Sequence, residues 1–416
     1  MIALASAMRL ARKSGLTRRD LLSASVLAGG AWLIGMERLA LPGLAFATPQ
    51  NPFANGTMLG LIPFADENHA GITMETLVKS ELDGRLYTDL AALREGQATV
   101  PTEKFYVRTS TSHLLDVSKP WTIQLGPADK RSTLSLDELR SAAEPQGIHL
   151  MECSGNVRDT HFGLLSAAEW TGVPLAHFEA RIAPKGPSSR VLVSGFDAYE
   201  QTSTSSQPGA SWIFTWEQLT SAGAFLVTTM NGQPLASDHG APVRIVVPGW
   251  YGCVSIKWLN EISPADEDAE STSQMQEFAQ RTHQQGVPKF AREFESAVID
   301  PAAVPIRIEK WRVGEKIAYR IVGIEWGGPR RAKSLDIEFS APEKFAYIVR
   351  PGPEAMRQTV SDIVPTQGDS WAFWTCAWTP PRSGTYVITL RITDPSVRTR
   401  RLDMNYYARI VKIDEV

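Results

Sequence analysis

Between residues 306 and 413 the chain packs seven short β-patterned runs into about 110 residues, and this density constrains the fold more than any other feature. The runs are 306–310, 316–325, 334–339, 345–349, 371–378, 384–393 and 406–413. They are rich in β-branched and aromatic residues, turn residues separate them, and no helical period interrupts them. Strands this short, each with one face to bury, are stable when two sheets stack on each other. The stretch therefore predicts an all-β, immunoglobulin-like sandwich over residues 300–416. Upstream, over 48–299, strand signals at 105–108, 121–125, 147–151, 190–194, 225–229 and 243–247 mix with helix signals at 74–80, 86–94 and a Ser135-capped start in which Glu138 follows three residues on. Residues 164–178 alternate turn and helix signals, and 262–302 read as an ordered connector. With no regular βα alternation, the larger part predicts an α+β domain.

The 416 residues are 43% hydrophobic and 21% charged, which excludes disordered, collagen-like and coiled-coil chains. A net charge of −3 argues against a polyanion binder, so no nucleic-acid partner is expected. The three cysteines, Cys153, Cys253 and Cys376, form no CxxC. Zinc ribbons, ferredoxin clusters and CxxCH haem attachment are excluded. Neither a GxxxxGK[ST] loop nor a GxGxxG fingerprint occurs.

Residues 1–47 read as an address. Arg18 and Arg19 precede an apolar run over 21–35, Pro42 and Gly43 break it, and Ala45-Phe46-Ala47 has the A-x-A cleavage pattern. An arginine pair before a modest apolar run points to twin-arginine export and a periplasmic protein; the alternatives are an uncleaved N-terminal anchor and an ordinary Sec signal. The run is shorter than the ~20 residues of a membrane span, so none is expected after cleavage. That export route carries proteins already folded, often around a cofactor.

Two clusters carry chemistry. In Glu152-Cys153-Ser154-Gly155-Asn156 an apolar strand ends in a turn that presents Cys153 five residues before Arg158. A nearby cation lowers a thiol pKa and favours the thiolate for metal binding or attack; the alternative is a buried free cysteine. In the second cluster His239, Arg244 and Lys257 are spaced among glycines and prolines, which suits a loop cage around a phosphate or, alternatively, a solvated hairpin. Cys253 has no metal-ligand spacing and reads as a packed thiol.

From about Pro101 to its end the chain resembles the sulfite oxidase family of molybdenum enzymes. The resemblance rests on Phe105-Tyr106-Val107-Arg108, on Glu152-Cys153-Ser154-Gly155-Asn156, on Met230-Asn231-Gly232-Gln233-Pro234-Leu235 with His239-Gly240-Ala241-Pro242-Val243-Arg244, and on Pro248-Gly249 through Lys257-Trp258. It implies an α+β molybdopterin domain over 48–299 followed by an immunoglobulin-like dimerisation domain, which allows a homodimer. It also implies molybdenum held by molybdopterin and by Cys153, with Phe105, Arg108, Thr109, Asp197, His239, Arg244, Ser255 and Lys257 around the pterin and its phosphate. Arg108 and Arg158 fall on the two arginines that border a pocket for a small oxyanion. Arg400, or Arg401 beside it, matches an arginine that closes that pocket; the alternative there is a solvated basic run.

Two departures stand out. Thr109-Ser110 replaces the Asn-His that usually follows the first motif, and His283 falls where the family has a tyrosine beside the metal. The resemblance implies oxidation of sulfite to sulfate by oxygen-atom transfer, with no haem expected in this chain, which lacks the haem domain of the family's animal enzymes, and with electrons leaving to a separate c-type cytochrome. The rival with the same cofactor is reduction of a sulfoxide or another oxo substrate. A rival of another class is a non-catalytic secreted β-rich binding protein.

Overall fold

The computed structural model describes residues 52–65, 85–109, 115, 120–196, 210–343, 350–351, 355–392, 394 and 396–416. The leader over 1–47, the helix expected at 74–80, the run at 345–349 and Asp197 lie outside the described residues.

Pro52–Val416 is a single compact unit, built mostly of sheet with short helices. Two sheets occupy its C-terminal part. One runs Thr57–Ile62, Ala302–Val313, Lys316–Trp326, Ala372–Trp378 and Ile363–Pro365; the other runs Met356–Val360, Leu335–Ser340, Gly384–Arg391 and Arg409–Ile413. Six of the seven expected runs fall on these strands. The first strand, Thr57–Ile62, comes from the segment read as irregular, and pairs antiparallel with Ala302–Val313 at the sheet edge. Two strands, Met356–Val360 and Ile363–Pro365, and one short helix, Arg400–Asp403, were not anticipated.

The other two sheets make up the α+β part. Arg244–Val246, Phe225–Met230, Leu165–Pro174 and Glu144–Glu152 form one; Ser132–Ser135, Thr122–Leu125, Leu259–Ala265, Arg190–Gly195 and Ser211–Thr215 form the other. In the first sheet Phe225 and Val227 bury toward one core and Leu226 toward another, the two-residue period of a strand covered on both faces. One core joins this sheet to the C-terminal sheets, and the other fills the space against the second α+β sheet.

Three local expectations change. Leu165–Pro174 is a ten-residue strand, not turn and helix. The helix expected over 86–94 reduces to a single turn, Leu90–Ala92, capped by the Asp89 side chain. Residues 105–108 join no sheet: Thr102–Lys104 is a turn, and Val107 makes only an isolated bridge to Leu86. Phe105, Tyr106 and Val107 are all buried, which a strand with one solvent face does not allow. The capped helix formed as expected, with Ser135 accepting from the Glu138 N–H ahead of Leu136–Ser141.

Candidate active site

Glu144–Glu152 delivers Cys153 to the floor of a cleft, at the point where the strand gives way to a turn. The turn is held at both ends. Asn156 N–H donates to Cys153 O at 2.9 Å, and Gly155 N–H reaches Cys153 Sγ at 3.3 Å. The Asn156 side chain accepts from Leu164 N–H at 3.0 Å and donates to Glu152 Oε1 at 3.3 Å. This is the physical content of the Cys-Ser-Gly-Asn run: a turn that leaves the sulfur facing the cleft.

The cleft encloses about 830 Å³, its open mouth included. Phe105, Arg108, Thr109, Cys153, His239, Arg244, Ser255 and Lys257 all line it. Burial pushes the Cys153 thiol up, and Arg108, the Gly155 N–H and Arg281 only partly offset this. The lowered thiol expected from neighbouring cations is therefore reversed, because the sulfur is 4% exposed and desolvation outweighs the charges. Cys253 lines the same cleft, with its thiol pushed up to about 12 by burial.

The cleft wall is cationic and pre-formed. Arg244 is buried and donates to His239 O at 3.1 Å and Ser255 O at 2.9 Å, while its Nε is buried with no hydrogen-bond partner. Burial lowers its pKa to about 10, which leaves it charged at neutral pH. Lys257 Nζ donates to Asp238 O at 2.9 Å and to Thr109 O, linking the two cleft-wall segments. Gly240 allows this convergence: its φ is +101°, and a Cβ there would meet Lys257 Cβ at 2.9 Å and Arg244 Cβ at 3.2 Å. His239 Nε2 lies 2.9 Å from Thr102 O, and burial drops its pKa to about 4, so the ring is neutral at pH 7.

Three expected residues lie off this lining. Arg158 sits half-buried in the turn Arg158–Thr160 that follows the cysteine loop. His283 turns to Tyr251 Oη at 3.2 Å and Asp300 Oδ2 at 3.1 Å. Arg400 forks onto Asp300 at 2.9 and 3.2 Å. Its neighbour Arg401 goes to the cysteine loop instead. Arg401 is buried, donates to Ser154 O at 2.8 Å and Arg281 O at 3.0 Å, and lies 3.5 Å from Glu152 Oε1. Glu152 is fully buried beside Cys153 and also receives Tyr407 Oη at 3.0 Å and Trp326 Nε1 at 2.9 Å. Glu152 stood inside a quoted motif, but nothing local marked its role; its partners lie far along the chain.

Residues 110–273 match the family described as oxidoreductase molybdopterin-binding domain. The mitochondrial sulfite oxidase of Macaca fascicularis is 30% identical over 222 residues, covering 50% of this chain and 40% of that protein. The NADPH nitrate reductase of Beauveria bassiana is 36% identical over 107 residues, 26% of this chain and 12% of that protein. The chain thus spans less than half the length of these curated relatives. In fold it is similar to the sulfane dehydrogenase SoxCD of Paracoccus pantotrophus, with a TM-score of 0.55 and 15% identity over 92% of this chain and 98% of that one. The protein is an oxidoreductase with a molybdopterin-binding domain. Over this region it is similar to the sulfite oxidase family of molybdopterin oxidoreductases.

The residues present fit that cofactor. Among the described residues no three His, Cys, Asp or Glu side chains converge on a metal. A soft thiolate suits molybdenum, and the buried, unpartnered Nε of Arg244 offers a donor to an anionic group such as a phosphate.

Proposed function

We propose that the protein oxidises a small sulfur oxyanion, sulfite foremost, and passes the electrons to a c-type cytochrome. The observation that carries this reading is a buried thiol at the floor of a cleft shared with Arg108 and walled by Arg244 and Lys257. Bound at Cys153, molybdenum-molybdopterin supplies two-electron oxygen-atom transfer. The chain supplies position and charge. Cys153 would hold the metal as a thiolate, giving up the proton that burial otherwise favours. His239, Arg244, Ser255 and Lys257 hold the pterin and its phosphate, with Phe105 and Thr109 on the facing wall. Arg108 presents a fork to substrate oxygens, and Arg158 follows it in the turn after the cysteine loop, off the cleft lining. A charge fixed in a partly desolvated cleft stabilises the oxyanion more than water does.

We place the protein in the periplasm, exported by the twin-arginine route and cleaved near Ala47. Residues 48–299 are its catalytic domain, and 300–416 an immunoglobulin-like dimerisation domain. The stacked C-terminal sheets and the leader sequence support these assignments. Among the described residues no helix is long and apolar enough to cross a membrane.

The nitrate reductases among the matches favour a second reading, reduction of an oxo substrate. Steady-state assays separate the two. Sulfite with cytochrome c should turn over, with a KM that rises with added salt because the pocket charges are screened. Turnover of methionine sulfoxide with a reduced viologen, and none of sulfite, would establish the second reading.

A further inference from the structure

The connector after the helix Ser273–Phe278 brings a residue beside the cysteine loop that neither the motifs nor the matches single out. His283, in the left-handed region with φ +68°, turns its ring to Tyr251 and Asp300. Arg281, two residues earlier, turns the other way. Its Nη1 and the Cys153 sulfur lie 3.6 and 3.7 Å from one point, the position a Cβ on residue 155 would take. Its guanidinium is 5.5 Å from the centre of the Phe278 ring, and Phe278 itself lines the cleft.

The backbone under Arg281 is fixed to the cysteine loop. One nitrogen of Arg401 donates to both Arg281 O and Ser154 O, so the two segments keep a set separation. The neighbouring cations are neutralised in place: Asp300 and Glu295 hold Arg400, and Glu152 holds Arg401. Arg281 differs: among the described residues no carboxylate pairs with its guanidinium. A charge left uncompensated this close to the cysteine loop is available to an arriving anion.

We propose that Arg281 is a specificity-determining residue, forming the outer wall of the substrate pocket and selecting small multiply charged anions over neutral oxo compounds. This rests on the reading of Cys153 as the reacting end of the cleft. A guanidinium here donates two parallel hydrogen bonds to a trigonal or tetrahedral oxyanion and offers a neutral sulfoxide only one acceptor's worth of contact.

The test is calorimetric titration of inorganic sulfate into purified holoenzyme at low salt, with molybdenum content measured for each variant. Arg281→Gln should weaken sulfate binding about tenfold, Arg281→Lys should recover most of that loss, and both should keep the wild-type molybdenum content. If Arg281→Gln binds sulfate as wild type does while Arg108→Gln binds it more weakly, the inference is overturned and the functional reading stands. If neither variant changes sulfate binding, the oxyanion reading falls as well. A drop in molybdenum content in Arg281→Gln would make the residue a support of the cofactor, and that too overturns the proposal.

Discussion

His239 shows how burial sets a protonation state in the cleft wall. The unfolded imidazole titrates near 6.5 and the folded one near 4. Between those values the unfolded chain binds more protons, so stability falls as the pH drops from 6.5 to 4. The loss from this one residue is roughly 3 kcal/mol. His239→Gln should flatten that window, which urea midpoints at pH 7, 5.5 and 4.5 would show; an unchanged slope would mean that other groups cause the acid loss. The site was unevenly legible at this scale. Cys153, His239, Arg244 and Lys257 could be singled out because a turn, a thiol and clustered cations leave a local trace, whereas Phe105, Arg108, Thr109 and Ser255 came only from the family resemblance. Arg281 could not, since its place depends on the connector's path and on a hydrogen bond from Arg401.

Among the elements, Leu165–Pro174 carries the most and was the hardest to read. Leu165, Ser166, Ala167 and Ala168 are all buried, so the strand shows no polar alternation, and its small residues and Gly172 imitate a turn. Gly172 is there for close approach: a Cβ would stand 2.1 Å from Leu226 O on the neighbouring strand, beside a bulge at Thr171/Gly172. Gly172→Ala should cost about 1–3 kcal/mol, whereas Gly147→Ala, which meets nothing within 4 Å, should show only the strain of its φ of +87°. Denaturant unfolding of both variants checks this, and equal losses would contradict it. The strands of the C-terminal sheets were legible for the opposite reason. Dense β-branched and aromatic runs between turns leave little choice but stacked sheets, although the edge strand Thr57–Ile62 joins from a distant segment that no local pattern could assign.

Across the whole molecule the cysteine loop depends on residues from the far end of the chain. Arg401 and Glu152 are 249 positions apart, and Tyr407 and Trp326 complete the buried group around the carboxylate. Removing the guanidinium leaves a buried charge short of its partner, so Arg401→Met should destabilise by about 3–5 kcal/mol. The double variant Arg401→Met with Glu152→Gln should recover much of that. Denaturant unfolding of the single and double variants measures the coupling; additive losses would show that the two do not act as a pair.

At the same scale, the function turns on Cys153. The measurement is sulfite-dependent reduction of cytochrome c by molybdenum-loaded protein, wild type against Cys153→Ser, with both confirmed as folded by thermal unfolding. Wild type should turn over, and Cys153→Ser should fall to about a thousandth of that rate or below, because the thiolate that holds the metal is gone. Turnover by Cys153→Ser at the wild-type rate would contradict the assignment of Cys153 and the reading of the cleft built on it.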